Sequence, residues 1–328
     1  METTAMTEMN DMLSFEASQL WDFVARLGQD GWSRPSACTG WTVGDVLAHL
    51  TQGASAWCAT ITRAVAGDAH PPPGEQMLRP GERGSEVTAQ RAIAFRQGMG
   101  ETELLNAFAD GYQGLDHGVG HPSCLCTRPK YLSTGGKECA RTLVSCGVAK
   151  SGRPSDRSRY QRLQAVLLGL QPGDWDKPCY HRRGILPTRD YVGLRLQELT
   201  IHGWDIRSAF NKAATLSERP LQALLGVAQW WLSNTFRPVP HLAVPMRYRF
   251  DVPGPVPVRQ DVLVSQDSFQ REPLTDRGAD VTFRCTTGDY LLFVYGRLRL
   301  DQAVDTGRLE VEGNRQQAAL FTTLFQGV

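Results

Sequence analysis

An all-α helical bundle followed by a small α+β domain is the fold class that this sequence predicts, and three observations predict it. Up to residue 236 the apolar residues recur at helical spacing. Beyond residue 240 they alternate with polar ones, the period of a half-buried strand. Between the two lies FRPVP, a proline-restrained stretch that reads as a linker. The domains are therefore expected over residues 1–236 and 241–328. A chain of 328 residues exceeds the usual size of one core, which agrees with two domains.

The first helix carries Leu20, Phe23, Val24 and Leu27 at i, i+3, i+4, i+7, and glycines at 28 and 31 close it. The second has a start signal. Thr42 stands three residues before Asp45, a capping-box pair, so the helix should begin at Val43 and place His49 in its second turn. HPPPGEQMLRPGERG ends that element, because proline and glycine at this density do not hold a helix. A third helix is expected over 86–97 and a fourth from about 102.

The fourth helix is interrupted. Leu104, Phe108 and Tyr112 form a stripe that dissolves and then resumes in phase at Leu163, Val166, Leu167 and Leu170 if residues 114–161 are lifted out. That segment holds four of the eight cysteines and three of the five lysines, and it reads as an insert. Its His117, His121, Cys124 and Cys126, with Cys139 and Cys146 further on, could hold a structural zinc, although they match no ordinary finger spacing. A solvated basic loop is the simpler reading, since only Tyr131 and Tyr160 are aromatic there, too few to interleave with the basic residues for nucleic acid.

The fifth helix, expected over 188–210, holds the strongest signal. Arg195, Glu198, His202 and Asp205 sit at i, i+3, i+7 and i+10 and project from one face. Leu194, Leu196, Leu199, Ile201 and Ile206 occupy much of the rest, so the helix should be buried and its polar stripe should need partners. Glu198 and His202, one turn apart, can converge on one cation, with His49 from another helix as the natural third ligand. Asp205 could then orient His202, and Arg195 could hold an anionic substrate group. The same residues also read as a solvated Glu–His pair, an Arg195–Glu198 ion pair and a core histidine, and spacing alone does not choose.

A sixth helix is expected from Ser217, burying Leu221, Leu224, Leu225, Ala228 and Leu232. In the C-terminal part, Met246, Tyr248, Phe250 and Val252 alternate with polar residues as one strand, and Val281, Phe283 and Cys285 form another. DYLLFVYGRL is expected to be helical, GRLEVEG a short strand, and NRQQAALFTTLF a closing helix.

Three phrases carry a resemblance. WSRPSACTGWTVGDVLAHL (32–50), PGDWDKP (172–178) and RLQELTIHGWDI (195–206) together resemble the mycothiol-dependent maleylpyruvate isomerase family. TGDYLLFVYGRLRL and DTGRLEVEGN are similar to the sterol-carrier-like domain that follows its bundle. The resemblance implies an N-terminal DinB-like metal-binding bundle and a C-terminal sterol-carrier-like domain. It also implies a divalent metal, zinc by its His and Glu ligands, on His49, Glu198 and His202. Mycothiol would be the co-substrate of an isomerase or transferase acting on a small electrophile. The insert at 114–161 departs from the family pattern. The competing reading is a carrier that binds an apolar ligand in the C-terminal domain and uses the metal structurally.

Composition bounds the remaining classes. Hydrophobic residues at 41% and charged residues at 21% exclude a disordered chain, and a net charge of +1 gives no global pull toward nucleic acid or an anionic membrane. No apolar run spans a bilayer and the acidic N-terminus is not a signal peptide, so a cytoplasmic protein with thiol or metal-binding cysteines is expected.

Overall fold

The computed structural model describes residues 2–79, 85–109, 159–239, 242 and 244–326. The expected insert falls almost wholly outside these residues, as do His117, His121, Cys124 and Cys126.

Among the described residues, the regular structure of the N-terminal part is helical except for one hairpin. Its elements are α1 (Glu2–Val24), the short α2 (Gln29–Trp32), α3 (Val43–Val65), α4 (Ser85–Gln97), α5 (Glu101–Ala109) and α6 (Arg159–Gly169). The hairpin β1 (Pro178–His181) and β2 (Gly184–Pro187) leads into α7 (Thr188–Arg207), and α8 (Leu221–Thr235) follows. Helix α3 lies against α4, α5, α6 and α7, and α1 lies against α7, so α3 and α7 form the centre of the bundle.

Local chemistry explains why those two helices sit where they do. The capping box expected at Thr42 is present: Asp45 donates its backbone N–H to Thr42 Oγ1 at 3.2 Å, and Thr42 donates its own to Asp45 Oδ2 at 2.9 Å. Arg96 of α4 clasps the same Asp45 at 3.0 Å. Helix α7 is apolar on most sides and accordingly buried, with Leu196, Leu199, Ile201 and Ile206 at 3% exposure or less. Each such side chain contributes about 1.5–3 kcal/mol through area removed from water. α8 begins at Leu221, four residues later than the apolar spacing suggested, with Pro220 as its N-cap and the Pro220 carbonyl accepting from Leu224 N–H at 2.9 Å. α5 and α6 both pack on α3, through Leu104 and Phe108 in one and Leu163 and Leu167 in the other.

The C-terminal part is a five-stranded mixed sheet in the order β5-β4-β3-β6-β7. β3 (Met246–Val252) pairs antiparallel with β4 (Val258–Val264), which pairs with β5 (Phe269–Pro273). β3 runs parallel to β6 (Val281–Cys285), and β6 pairs antiparallel with β7 (Leu309–Gly313). Helices α9 (Thr287–Val294), α10 (Leu300–Asp305) and α11 (Arg315–Leu324) complete it. Phe250, Phe283, Phe293, Phe321 and Tyr290 join sheet to helices, with ring centroids 5.0–5.6 Å apart. The small α+β domain is thus as expected, with β4, β5 and α10 added.

The two parts are stitched at defined points. α8 packs on α9, Arg237 donates its backbone N–H to Leu324 O at 2.7 Å, and Gln326 donates to Thr235 O at 3.2 Å. Among the described residues no helix is long and apolar enough to cross a membrane.

Candidate metal centre

His49 enters the site from α3, and Glu198 and His202 enter from successive turns of α7. His49 Nε2 lies 2.7 Å from Glu198 Oε2, and His202 Nε2 lies 3.5 Å from the same oxygen. One ligand atom from each of the three falls within 4.8 Å of the others. Tetrahedral ligands at about 2.0–2.1 Å from zinc stand roughly 3.3 Å from one another, so the cluster fits a metal with only small adjustments. The side chains are 16%, 26% and 14% exposed, and that exposure is to a cavity of about 520 Å³ which all three line.

Asp205 completes His202 from behind. Its Oδ2 sits 2.9 Å from His202 Nδ1 and its side chain has no exposure. A histidine whose Nδ1 donates to a carboxylate turns a bare Nε2 lone pair outward, the arrangement that orients imidazoles on metals. That lone pair then faces Glu198, which is also an acceptor. Two acceptors at 3.5 Å require a positive charge between them, either a proton or a cation.

The electrostatics agree. Burial lowers His49 from the ordinary imidazole value, with Glu198 offsetting only part. Burial alone would raise Glu198, but hydrogen bonds and charge from His202 and His49 outweigh it and hold the carboxyl well below its usual range. Burial opposes charge on His202 as well, yet Cys38, Asp205 and Glu198 together hold it well above the ordinary value. In the metal-free form, therefore, a proton on His202 supplies the charge that a cation would supply instead.

A loop and the C-terminal part close the centre. In the turn Cys38–Trp41, Trp41 N–H donates to Cys38 O at 3.0 Å, and Gly40 takes a φ of +79° that the turn needs at that position. The turn sets Trp41 edge-on to His49 at 5.4 Å and parallel to His202 at 6.4 Å. It also brings Cys38 Sγ to 3.0 Å from Asp205 Oδ2. From beyond α9, Arg297 grips Asp205 with two hydrogen bonds, Nε to Oδ1 at 2.9 Å and Nη2 to Oδ2 at 3.0 Å. Cys38, His202 and Asp205 also cluster closely enough to hold an ion. Their carboxylate is already occupied by a guanidinium, however, so His49, Glu198 and His202 are the better set.

Arg195 lies elsewhere. It is 2% exposed, donates Nη2 to Leu50 O at 2.8 Å, and does not line the cavity. Gly53 makes room for it, since a Cβ there would stand 3.2 Å from Arg195 Nη1. In this placement Arg195 ties α7 to α3. The residues not foreseen are Arg297, Cys38 and Trp41. The last two lie in the phrase that carries the family resemblance, whereas Arg297 has no local signal.

Comparison with known proteins agrees with this architecture. Residues 13–120 match the Mycothiol maleylpyruvate isomerase N-terminal domain, a stretch that includes His49 and stops before Glu198. Residues 245–326 match the SCP-2 sterol transfer family. No curated protein matches the chain. A crystal structure of the mycothiol-dependent maleylpyruvate isomerase has a similar fold, with a TM-score of 0.54 at 14% identity over 89% of this chain and 90% of that one. A point mutant of that isomerase gives a TM-score of 0.55 at 13% identity over 94% and 92%. The polypeptide is thus a helical bundle whose residues 13–120 match the Mycothiol maleylpyruvate isomerase N-terminal domain, joined to a small α+β domain whose residues 245–326 match the SCP-2 sterol transfer family.

Proposed function

We propose that the chain is a metal- and thiol-dependent enzyme, an isomerase or transferase acting on a small electrophilic molecule, with mycothiol as the co-substrate thiol. The observation that carries this reading is the convergence of His49 Nε2, Glu198 Oε2 and His202 Nε2 on the wall of a 520 Å³ cavity. Three protein ligands beside open space are the pattern of a catalytic site, whereas a structural site is closed by a fourth. A bound zinc supplies Lewis acidity, which lowers the pKa of a thiol that reaches it.

The chain's own residues supply the rest. Glu198 and the two histidines hold the ion, Asp205 fixes the tautomer of His202, and Arg297 fixes Asp205. Asp205 and Arg297 are positioning residues. Trp41 covers the two imidazoles and limits water at the centre. The competing carrier reading has less support, because the aromatic side chains of the C-terminal domain pack on one another and its Arg297 reaches into the metal centre.

Metal analysis of the purified protein tests the assignment. About one divalent ion per chain is expected, and His202→Ala should lose it while keeping most of its helicity. Unchanged metal content in that variant would remove His202 from the ligand set.

A further inference from the structure

Cys38 stands apart from the other cysteines of the described residues. Burial pushes the Cys179 and Cys285 thiols up to about 12, which leaves them unreactive. Cys58 sits on α3 and does not line the cavity beside the metal centre, whereas the partly exposed Cys38 does. The turn that carries Cys38 is pinned to the end of α7, because Ala37 donates its backbone N–H to Asp205 O at 3.1 Å. Cys38 donates its own backbone N–H to Ser36 Oγ, also at 3.1 Å. The sulfur is therefore held at the cavity wall.

Three polar neighbours surround that sulfur. Cys38 donates its S–H to Asp205 Oδ2 at 3.0 Å, and Arg297 Nη2 donates toward Sγ from 3.6 Å. His202 Nδ1 lies 3.6 Å from it as well. A guanidinium N–H against Sγ stabilises the negative charge that a sulfur carries as it attacks a disulfide. Independently, the cavity holds a group that lacks a polar partner. Tyr295 lines it, is 2% exposed, and its hydroxyl has no hydrogen-bond partner among the described residues. Glu198 and Arg297 are close enough for their charges to act on that hydroxyl. A buried donor of this kind costs stability until a guest supplies the acceptor.

We infer that Cys38 is a modification site, where a small disulfide with polar groups forms a mixed disulfide with the chain, and that this adduct loosens the metal held by His202. Cys38–SH and R–S–S–R give Cys38–S–S–R and R–SH. One S–S bond forms as another breaks, the Cys38 sulfur is oxidised, the departing sulfur is reduced, and the Cys38 proton leaves on it. The modified sulfur has no hydrogen to give Asp205 and carries extra bulk where only 3.0–3.6 Å separates it from Asp205, His202 and Arg297. Asp205 must then shift, and His202 loses the carboxylate that orients it. The loosening of the metal rests on the metal-dependent reading above; the modification itself does not.

Peptide-mass mapping of the native, metal-loaded full chain after incubation with hydroxyethyl disulfide follows the modification at each cysteine. Cys38 should be labelled about tenfold or more faster than Cys58, Cys179 and Cys285, and a reductant should reverse the labelling. Metal retention against a chelator, read on the same samples, should fall about tenfold or more with the adduct and return on reduction. Cys38→Ser keeps a hydroxyl donor for Asp205 and should hold its metal equally well with and without the disulfide. Labelling of Cys38 no faster than that of Cys58 overturns the modification site. A labelled Cys38 with unchanged metal retention overturns its effect on the metal. If the chain carries no metal at the outset and Cys38 is still labelled first, the modification site stands and the metal-dependent function falls instead.

Discussion

Asp261 in the C-terminal sheet and Glu198 on α7 are both carboxylates held below their usual range by cationic neighbours, and they are built to opposite ends. Asp261 has no exposure and is saturated: Arg249 takes Oδ1 and Oδ2 at 2.9 and 3.0 Å, and Arg247 takes Oδ2 at 3.1 Å. Glu198 instead keeps 26% of its side chain open to a cavity and shares one oxygen between two imidazoles. A closed network fixes a register, here β3 against β4. An open one leaves coordination to be filled. The difference separates a structural buried charge from a site.

The largest expected effect lies at the closed network. Asp261→Ala removes the buried carboxylate that Arg247 and Arg249 share, leaving Arg247 with Glu272 and Arg249 with backbone carbonyls. It should destabilise the C-terminal domain by about 3 kcal/mol, the low end of the cost of breaking a buried pair from one side. Chemical denaturation measures it, and metal content should not change. If the variant loses its metal while the domain stays stable, the two regions are not separable in this way.

Next comes the support behind the open site. Asp205→Asn keeps the shape but removes the carboxylate that orients His202, and metal affinity should fall about 10–100-fold. Competition with a chelator of known affinity reads this directly. An affinity within twofold of the parent would mean that Asp205 serves only Arg297.

The smallest effect sharpens the comparison with a third buried carboxylate. Glu16 is 1% exposed, and burial raises its pKa despite Ser217, Arg207 and Arg219 nearby. A raised folded pKa means the charged form is disfavoured in the fold. The destabilisation is absent below the unfolded value of 4.5 and develops as pH rises through the higher folded value. Glu16→Gln should therefore stabilise the bundle by about 1 kcal/mol at pH 7 and by little at pH 4. Thermal melts at the two pH values check the sign. A variant less stable at pH 7 would show that Glu16 is paired as effectively as Asp261.

These contrasts also explain what the sequence could disclose. Helices α3 and α7 were legible because their signals are local: a capping box at Thr42 and an apolar helix carrying one polar stripe. β4 was not, since Asp261 sits buried in mid-strand and breaks the alternation that marks a strand. β1 and β2 hold four residues each, too few for a period to register. Arg297 gave no sign because its partner, Asp205, is 92 residues away, and tertiary packing such as that of α8 on α9 brings the two together. Arg195 shares the stripe of Glu198 and His202, yet the approach of α3 at Gly53 turns it into a helix–helix tie. Helical spacing reports which residues share a face and is silent about which part of that face meets a cavity.

The most direct test of the central claim is the visible spectrum of the cobalt-substituted protein titrated with a small thiol. A site with three protein ligands and an open position predicts d–d bands of low-coordinate cobalt that shift on thiol addition, with a new sulfur-to-cobalt charge-transfer band. The shift should be absent in Glu198→Gln and His202→Ala. A spectrum indifferent to millimolar thiol would contradict the account and make the metal centre a closed structural one.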